Sequence, residues 1–386
     1  MSAWEHQKMR SWILMQRYDE KSVKLQKALR ENWGVDLVPI AKKNSLLPAY
    51  LLALSACRRR RPAALVYRYL NDHGSASGTM LLLFSELLSC VIARIMRVPV
   101  IWICHNVDRE TAVYHPRINA ARRSLLKRQA RKILVMDPVL VPDAIDELRV
   151  PPERVSYITF GLAEQNSPEW RNSELFAQIR AFCAAGGDNS LKRRPLTGLT
   201  VGHASWKTRR QFSAMIPLLD AAQSAGHDLK LIVIGPVRSF LEKDAPEVLQ
   251  ALRRDSRVFL YDEYVKTDEK TLSTLVDFYW RVYDDLSVPY TLYRSATVGK
   301  PILTMQSGFL GKAVSYYRLG VVVREDLADI KTAVRAISQW DQQNASYFLS
   351  SHTWERAAAQ LLQFSSLATH SMSDSAPPPK DTHVRD

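Results

Sequence analysis

The sequence has 386 residues, 46% of them hydrophobic, and carries 53 Lys and Arg against 39 Asp and Glu, a formal net charge of +14. This length predicts two domains, each with its own core, and the positive charge favours acidic partners such as nucleic acid, an anionic membrane surface or phosphorylated molecules. The four cysteines form no C-x-x-C pair and no uninterrupted run of about 18 apolar residues occurs, which argues against a disulfide framework and a membrane-spanning helix.

Short apolar strands alternate with helical patterns through the first half of the chain. Residues 99–104 are nearly all apolar, as in the buried centre of a parallel sheet. The first ten residues are charged and lack the apolar core of a signal peptide, which predicts a cytoplasmic protein able to rest on the inner face of a membrane. Predicted strands cover residues 11–16, 35–40, 64–70, 99–104, 133–136 and 155–160, and predicted helices cover 20–32, 46–57, 78–96 and 120–132.

The same alternation resumes after a less patterned stretch. It predicts an α/β fold of two Rossmann-like, doubly wound domains that face a central cleft. Predicted strands cover residues 199–202, 229–235, 258–261, 278–283 and 302–305, and predicted helices cover 210–225, 245–254, 269–276 and a segment that begins near 291. We divide the chain into a first domain (1–165), an inter-domain linker (166–195), a second domain (196–366) and a disordered Ser- and Pro-rich tail (367–386).

The ends of the predicted strands indicate where a ligand binds, because open parallel sheets bind ligands beyond the carboxyl ends of their strands. Residues 297–320 are the most informative stretch, since Gly308 and Gly311 follow a short buried strand. Glycine-rich turns and helix N-termini present backbone N–H groups to an anion. In a chain of strand–helix units, we expect that anion to be a nucleotide diphosphate.

Several motifs follow one another in an order that resembles the glycosyltransferases of the GT-B fold, from Leu65 to about Leu361. In the second half they are Gly202 followed by Lys207 and Arg209, then Ile234-Gly235, the segment 261–265, Gly299-Lys300-Pro301 and Trp354. The resemblance implies that the first domain binds an acceptor and the second binds a nucleotide-sugar.

One departure from the family pattern bears on the mechanism. Retaining members carry two glutamates before the Gly-Lys-Pro motif, and Leu286 and Arg294 stand at those positions here. The strand that ends in His105-Asn106 is instead similar to the inverting β-mannosyltransferases of exopolysaccharide type, which act on lipid-linked sugars. The resemblance implies an inverting, metal-independent hexosyltransferase of surface polysaccharide synthesis, with a GDP- or UDP-linked donor such as GDP-mannose, a lipid-linked or glycan acceptor and no cofactor.

Inverting transfer needs a base that takes the proton of the acceptor hydroxyl. Asp72 is the first candidate because it follows a predicted strand, although Asn-Asp-His-Gly is also typical of a turn. Asp19 is the second, with a helix N-cap as the alternative. His105 would bind sugar hydroxyls or the donor phosphate.

Transfer also needs positive charge or N–H groups beside the departing diphosphate. Lys207 and Arg209 would supply charge, unless they form a solvated basic turn, and Thr291 begins a helix that could hold a phosphate. We expect Glu263 or Tyr264 near the nucleobase, and we assign no metal to the adjacent acids Asp284 and Asp285. The predicted donor-binding residues are Gly202, Lys207, Arg209, Gly235, Glu263, Tyr264, Tyr283, Tyr290 and Thr291.

Basic residues concentrate in the first half, on the acceptor side. An apolar helix runs into four arginines, and a second helix carries several more basic residues. We predict that they dock this half on an anionic membrane beside a lipid-linked acceptor; the alternative is a core helix with a solvated face. The predicted acceptor and membrane residues are Arg58, Arg59, Arg60, Arg61, Arg123 and Lys127.

Two other functions fit parts of the sequence. A nucleotide-sugar epimerase of the same architecture would use the donor without an acceptor. A basic nucleic-acid binder would explain the charge, but the sequence lacks an aromatic-and-basic platform and a helix-turn-helix signature, so we predict no nucleic-acid partner.

Overall fold

The computed structural model describes residues 11–40, 46–58, 60–110, 113–162, 173–185 and 194–367. These residues form two parallel six-stranded sheets flanked by helices, which confirms the predicted α/β class with two Rossmann-like domains. The predicted disordered tail, apart from residue 367, and Arg59 lie outside the described residues.

The first sheet is built from strands between residues 12 and 157, and every residue of its central strand 100–104 is buried. Its strands are β1 Trp12–Gln16, β2 Asp36–Ile40, β3 Ala64–Tyr67, β4 Val100–Cys104, β5 Lys132–Val135 and β6 Val155–Tyr157. Its helices are α1 Glu20–Trp33, α2 Leu47–Cys57, α3 Ala76–Ile95, α4 Pro116–Gln129 and α5 Val141–Leu148. The strand order is β2-β1-β3-β4-β5-β6.

The second sheet follows a helix, α6 Glu174–Ala184, that lies inside the predicted linker. Its strands are β7 Leu196–Val201, β8 Leu229–Ile234, β9 Val258–Tyr261, β10 Phe278–Trp280, β11 Ile302–Met305 and β12 Gly320–Val323. The helices are α7 Arg209–Ser213, α8 Met215–Ser224, α9 Arg238–Asp244, α10 Pro246–Arg254, α11 Glu269–Leu272, α12 Thr291–Val298, α13 Gly308–Tyr317, α14 Ile330–Ser338, α15 Gln343–Ser351 and α16 Trp354–Gln363. The strand order is β12-β11-β10-β7-β8-β9.

In each sheet the chain first adds strands toward one edge and then returns to add the remaining strands toward the other edge. The position between the two strands where this direction reverses is the switch point. In the first sheet it lies between β1 and β3, and in the second between β7 and β10. The connections that follow the two strands at a switch point run in opposite directions, so a crevice opens between them beyond the strand ends. Ligands of open α/β sheets bind in this crevice.

The last helix returns to the first domain. Ala357, Ala358 and Leu361 of α16 are buried in the same core as Ile13 and Met15 of β1. The predicted second domain, residues 196–366, therefore includes a helix that packs on the first sheet. The sequence pattern could not reveal this, because the apolar stripe of a helix does not identify the surface that covers it.

Candidate active site between the two domains

The carboxyl ends of the two sheets face each other across a cleft. The backbone N–H of Val107, just past β4, donates to the carbonyl of Leu286 at 3.2 Å. Asn106 forms an antiparallel bridge with Ser287, and Lys207 Nζ donates to Asn106 Oδ1 at 3.4 Å. The cleft is thus lined by the strand-end residues of both domains.

Lys207 lies in the cleft, and its charge is partly neutralised by a neighbour. Its ammonium group forms an ion pair with the buried carboxylate of Asp285 and donates to Ser287 Oγ at 3.5 Å. Ser287 Oγ also donates to Asp285 Oδ2 at 2.8 Å. Because Asp285 neutralises part of this positive charge, Lys207 alone attracts a diphosphate less strongly than its position in the sequence indicates.

Two glycines at the ends of β7 and β8 let the backbone turn sharply beside the cleft. Gly202 has φ +128° and Gly235 has φ +138°, values that L side chains rarely adopt. A Cβ atom on Gly235 would lie 2.3 Å from the carbonyl oxygen of Gly202. Only glycine therefore fits this close approach of the two loops.

A buried arginine, Arg281, lies at the switch point of the second sheet. It directly follows β10, is 6% exposed, and its Nη2 donates to the Tyr283 hydroxyl at 2.6 Å. Its Nη1 donates to the carbonyl of Val201 at 3.4 Å and lies beside Gly202. Within the described ranges no carboxylate lies within 4.0 Å of its guanidinium, and its buried Nε has no hydrogen-bond partner. An unpaired buried cation is costly, so this position is suited to an anion.

Known proteins give no sequence match but a clear match in fold. No family model matches the chain, and no curated protein matches its sequence. The lipopolysaccharide outer core galactosyltransferase WaaB, in its apo form, aligns over 92% of this chain and 98% of its own, with a TM-score of 0.57 and 9% identity. A glycosyltransferase from Rickettsia africae aligns over 92% and 97%, with a TM-score of 0.57 and 10% identity. HepE from Anabaena, in complex with UDP and glucose, aligns over 93% and 97%, with a TM-score of 0.51 and 12% identity.

The chain has the GT-B glycosyltransferase fold. Sequence reasoning missed Arg281 because none of the GT-B motifs that guided it includes this residue. A signal was available, since an arginine directly after the apolar triplet 278–280 stands at the strand end where ligands bind.

The predicted turn 283–291 also lies at the GT-B cleft. Tyr283 accepts from Arg281, and Tyr290 precedes the first residue of α12, Thr291. Burial raises the pKa of Tyr290, Arg294 opposes this, and Glu20 of the first domain raises it further.

Three predicted donor residues lie on the rim of the second domain. Glu263 accepts from the Tyr261 hydroxyl at 3.1 Å and lines a recess of about 530 Å³ beside Pro236 and Asp262. Tyr264 is 84% exposed, and Arg209 is exposed as well. Glu263 therefore lines a recess large enough for a nucleobase.

Asp72 has the contacts of a structural residue rather than of a base. Its Oδ2 accepts from the backbone N–H groups of Tyr114 and His115 at 3.1 and 2.8 Å. Its Oδ1 accepts from Asn119 Nδ2 at 2.7 Å and lies 3.4 Å from Arg122. The side chain is fully buried, so an acceptor hydroxyl has no access, and the turn interpretation is the one that these contacts support.

Asp72→Asn is therefore expected to lower the free energy of unfolding by about 3 kcal/mol, the scale of breaking a buried charged pair. Urea denaturation measures it. Asp326→Asn is the control, because its pair with Arg324 is exposed and contributes about 0–1 kcal/mol. Unchanged stability with lost turnover would restore Asp72 as the base.

His105 lies beneath the surface of the cleft at the end of β4. Its ring stacks on Tyr69 with a centroid distance of 3.9 Å, and Nε2 lies 3.3 Å from Arg68 Nε. Burial lowers its pKa well below the ordinary value, and the nearby cations Arg68, Lys21 and Arg17 lower it further. The imidazole is therefore neutral at pH 7 and holds Arg68 in position.

Asp19 lies at the cleft end of β1, where it has two contacts. Its Oδ1 accepts from the Ser22 N–H at 2.8 Å, which makes it the N-cap of α1. The same oxygen accepts from Arg68 Nη1 at 2.7 Å. Its side chain is 26% exposed, so a substrate hydroxyl can reach the carboxylate.

One of the predicted membrane residues, Arg123, points into the protein. Arg123 pairs with Glu110 at 3.0 Å and donates to the carbonyls of Asn106 and Val107 at 3.2 and 2.6 Å. It supports the loop after β4 and is unsuited to a lipid contact, which corrects that prediction. The described arginines of the run, Arg58, Arg60 and Arg61, are exposed, and Lys127 is partly exposed.

Proposed function

We propose that this protein transfers a sugar from a nucleoside-diphosphate donor to an acceptor hydroxyl with inversion at the anomeric carbon. The observation that carries the proposal is Arg281, a buried cation without a carboxylate partner in the described chain, at the switch point beside Gly202. A diphosphate there would satisfy the guanidinium and lie at the edge where dinucleotide-type folds bind pyrophosphate. GDP-mannose is the donor that the sequence resemblance favours, and UDP is the nucleotide in the HepE complex.

The proposed reaction is a single displacement. Asp19 takes the proton of the acceptor hydroxyl, and that oxygen forms a bond to the anomeric carbon as the bond to the β-phosphate oxygen breaks. The nucleoside diphosphate leaves with the electron pair. Arg281, Lys207 and the N–H groups that begin α12 balance the added charge, so the proposal requires no metal.

Two measurements test this function. Thermal shifts with GDP and UDP identify the nucleotide, and nucleoside diphosphate release is then followed with and without lipid-linked acceptor. We expect release that depends on the acceptor. Stabilisation by a nucleotide without acceptor-dependent release would favour the epimerase, and no response to either nucleotide would contradict a nucleotide-sugar enzyme.

We further propose that the protein works at the cytoplasmic face of a membrane, with α3 as the docking element. The inward face of α3 is mostly small or polar, with Ser85, Glu86 and Ser89 buried, whereas most of its large apolar side chains face outward. Phe84 is 57% exposed and Ile95 76% exposed. The exposed apolar residues of α3 are Met80, Leu81, Phe84, Leu87, Leu88, Val91 and Ile95.

This pattern is the reverse of an ordinary surface helix, and an exposed apolar stripe of this kind marks an interaction surface. By length and hydropathy α3 could also span a membrane, although the buried core helices of other proteins have the same length and hydropathy. In this structure 33% of the most apolar stretch of α3 is buried. Arg61 donates to the carbonyl of Met96 at 3.2 Å, which holds this arginine at the C-terminal end of α3. Arg94 and Arg97 are exposed there too, and cations beside an apolar face suit an anionic bilayer.

The double variant Phe84→Glu, Leu87→Glu is expected to abolish co-sedimentation with anionic vesicles, because it puts two charges into the apolar face. Tyr347→Glu is the matched control, since Tyr347 is 60% exposed in the second domain. Equal binding of the wild-type protein to neutral vesicles, or none to either kind, would refute docking.

A further inference from the structure

We propose that the first domain has an anion site of its own at the switch point between β1 and β3, where Arg17, Lys21 and Arg68 bind the diphosphate of a lipid-linked acceptor. The identity of the ligand as an acceptor rests on the proposed function; the anion site itself rests on the residues described below.

Arg68, directly after β3, is the centre of the site. Its side chain is 1% exposed, and two of its three nitrogens have partners, Asp19 and His105. The third, Nη2, is buried without a hydrogen-bond partner. A buried guanidinium that keeps an unpaired N–H loses free energy, so an oxygen ligand at this point would be stabilised.

Arg17 and Lys21 flank Arg68 on the segment that leaves β1. The guanidinium carbons of Arg17 and Arg68 lie 4.5 and 5.1 Å from the centroid of the same ring, Tyr69. Arg17 has φ +107°, a strained backbone value for a residue with a side chain, and such strain concentrates at functional sites. Lys21 Nζ lies 5.8 Å from the Phe160 ring, and burial, followed by Arg68, lowers the pKa of Lys21 to about 8.

The charges of the site favour a doubly charged anion. Asp19 is the one carboxylate within 4.0 Å of any of the three cations among the residues described, and Glu20 beside it is exposed. Three cations against Asp19 leave an excess of two positive charges. A diphosphate diester, the link between a sugar and its lipid carrier, carries two negative charges, and the N-terminus of α1 adds its dipole.

The site is separate from the one proposed for the donor. Arg281 lies at the switch point of the second sheet, and Arg68 lies at that of the first. Asp19, the proposed base, contacts Arg68 at 2.7 Å. An acceptor anchored here by its diphosphate would therefore have its sugar beside the base and opposite the donor.

The test titrates the full-length protein with pyrophosphate by calorimetry while the nucleotide that stabilises it is saturating, so that the donor site is filled. The double variant Arg17→Gln, Lys21→Gln is expected to bind pyrophosphate at least about tenfold more weakly, because it removes two charged donors to the phosphate oxygens. Lys27→Gln is the control, because Lys27 is exposed on the same helix, and it is expected to leave the affinity unchanged. Nucleotide affinity should be unchanged in the double variant.

Equal pyrophosphate affinity in the wild-type protein and the double variant, or binding of pyrophosphate only by displacement of the nucleotide, would overturn the proposal. Geranyl diphosphate and inorganic phosphate distinguish the sources: competition by the prenyl compound at lower concentration supports a lipid-linked acceptor, and preference for free phosphate contradicts it. If no nucleotide binds, the proposed donor site fails, and a pyrophosphate titration without nucleotide still tests the dependence on Arg17 and Lys21.

Discussion

Asp19→Asn is expected to reduce turnover by about a thousandfold, because general base catalysis contributes roughly 10²–10⁴ in rate and an amide cannot take the acceptor proton. The affinity for the nucleoside diphosphate is expected to stay unchanged, since Asp19 lies in the first domain. Asn is as good an N-cap as Asp, so α1 keeps its capping contact with Ser22. Steady-state kinetics with acceptor and calorimetry with nucleotide measure the two quantities.

The control for this variant is Asp36→Asn, since Asp36 is a partly exposed residue of β2 whose nearest cation, Arg30, is 4.0 Å away. The substitution at Asp19 also removes the ion pair with Arg68, so stability is measured at the assay temperature. A loss of turnover that merely follows a loss of folded protein would contradict the catalytic role. Asp19→Asn is also expected to bind pyrophosphate more tightly, because it removes the carboxylate that contacts Arg68.

Arg281→Gln is expected to weaken binding of the nucleoside diphosphate by about ten- to a hundredfold, the range for a hydrogen bond to a charged group of roughly 1.5–3 kcal/mol. The ligand-free protein is expected to be as stable as the wild type or more stable. In the described structure the guanidinium is buried without a carboxylate within 4.0 Å, so its removal relieves an uncompensated charge. Calorimetry and urea denaturation give the two values.

Opposite changes in affinity and stability are the signature of a ligand-binding arginine. Arg324→Gln serves as the control, because Arg324 is an exposed residue of the second domain paired with Asp326 at 2.9 Å. It should change neither quantity. If Arg281→Gln lowers stability and leaves nucleotide affinity intact, Arg281 is a structural residue and the donor site must lie elsewhere.

The expectation that ligands bind beyond the carboxyl ends of parallel strands located the cleft from the sequence. It could not distinguish between residues that follow their strands in the same way. Asp72 and Asp19 both follow strands of the first sheet, yet Asp72 is buried under α4 and Asp19 reaches the cleft. The difference depends on the contacts of α4, which are distant in sequence. Distant contacts also explain why α4 looks like a solvated basic helix in the sequence. In the structure Arg122 pairs with Glu86 and Arg123 pairs with Glu110, and these ion pairs hold both side chains inside the protein.

Local pattern predicted most of the elements, although it missed β12 and the helix α6 inside the predicted linker. Apolar strands that alternate with helices predict two parallel sheets, and the glycines at the strand ends mark turns that only glycine can make, as at Gly202 and Gly235. Three results required the tertiary structure: the return of α16 to the first domain, the outward apolar face of α3, and the pairing of strand ends that places Arg68 and Arg281 at the two switch points. The physical reason is that periodicity records which side chains avoid water within one element, whereas strand order and helix packing decide which charges lie together and which of them find a partner.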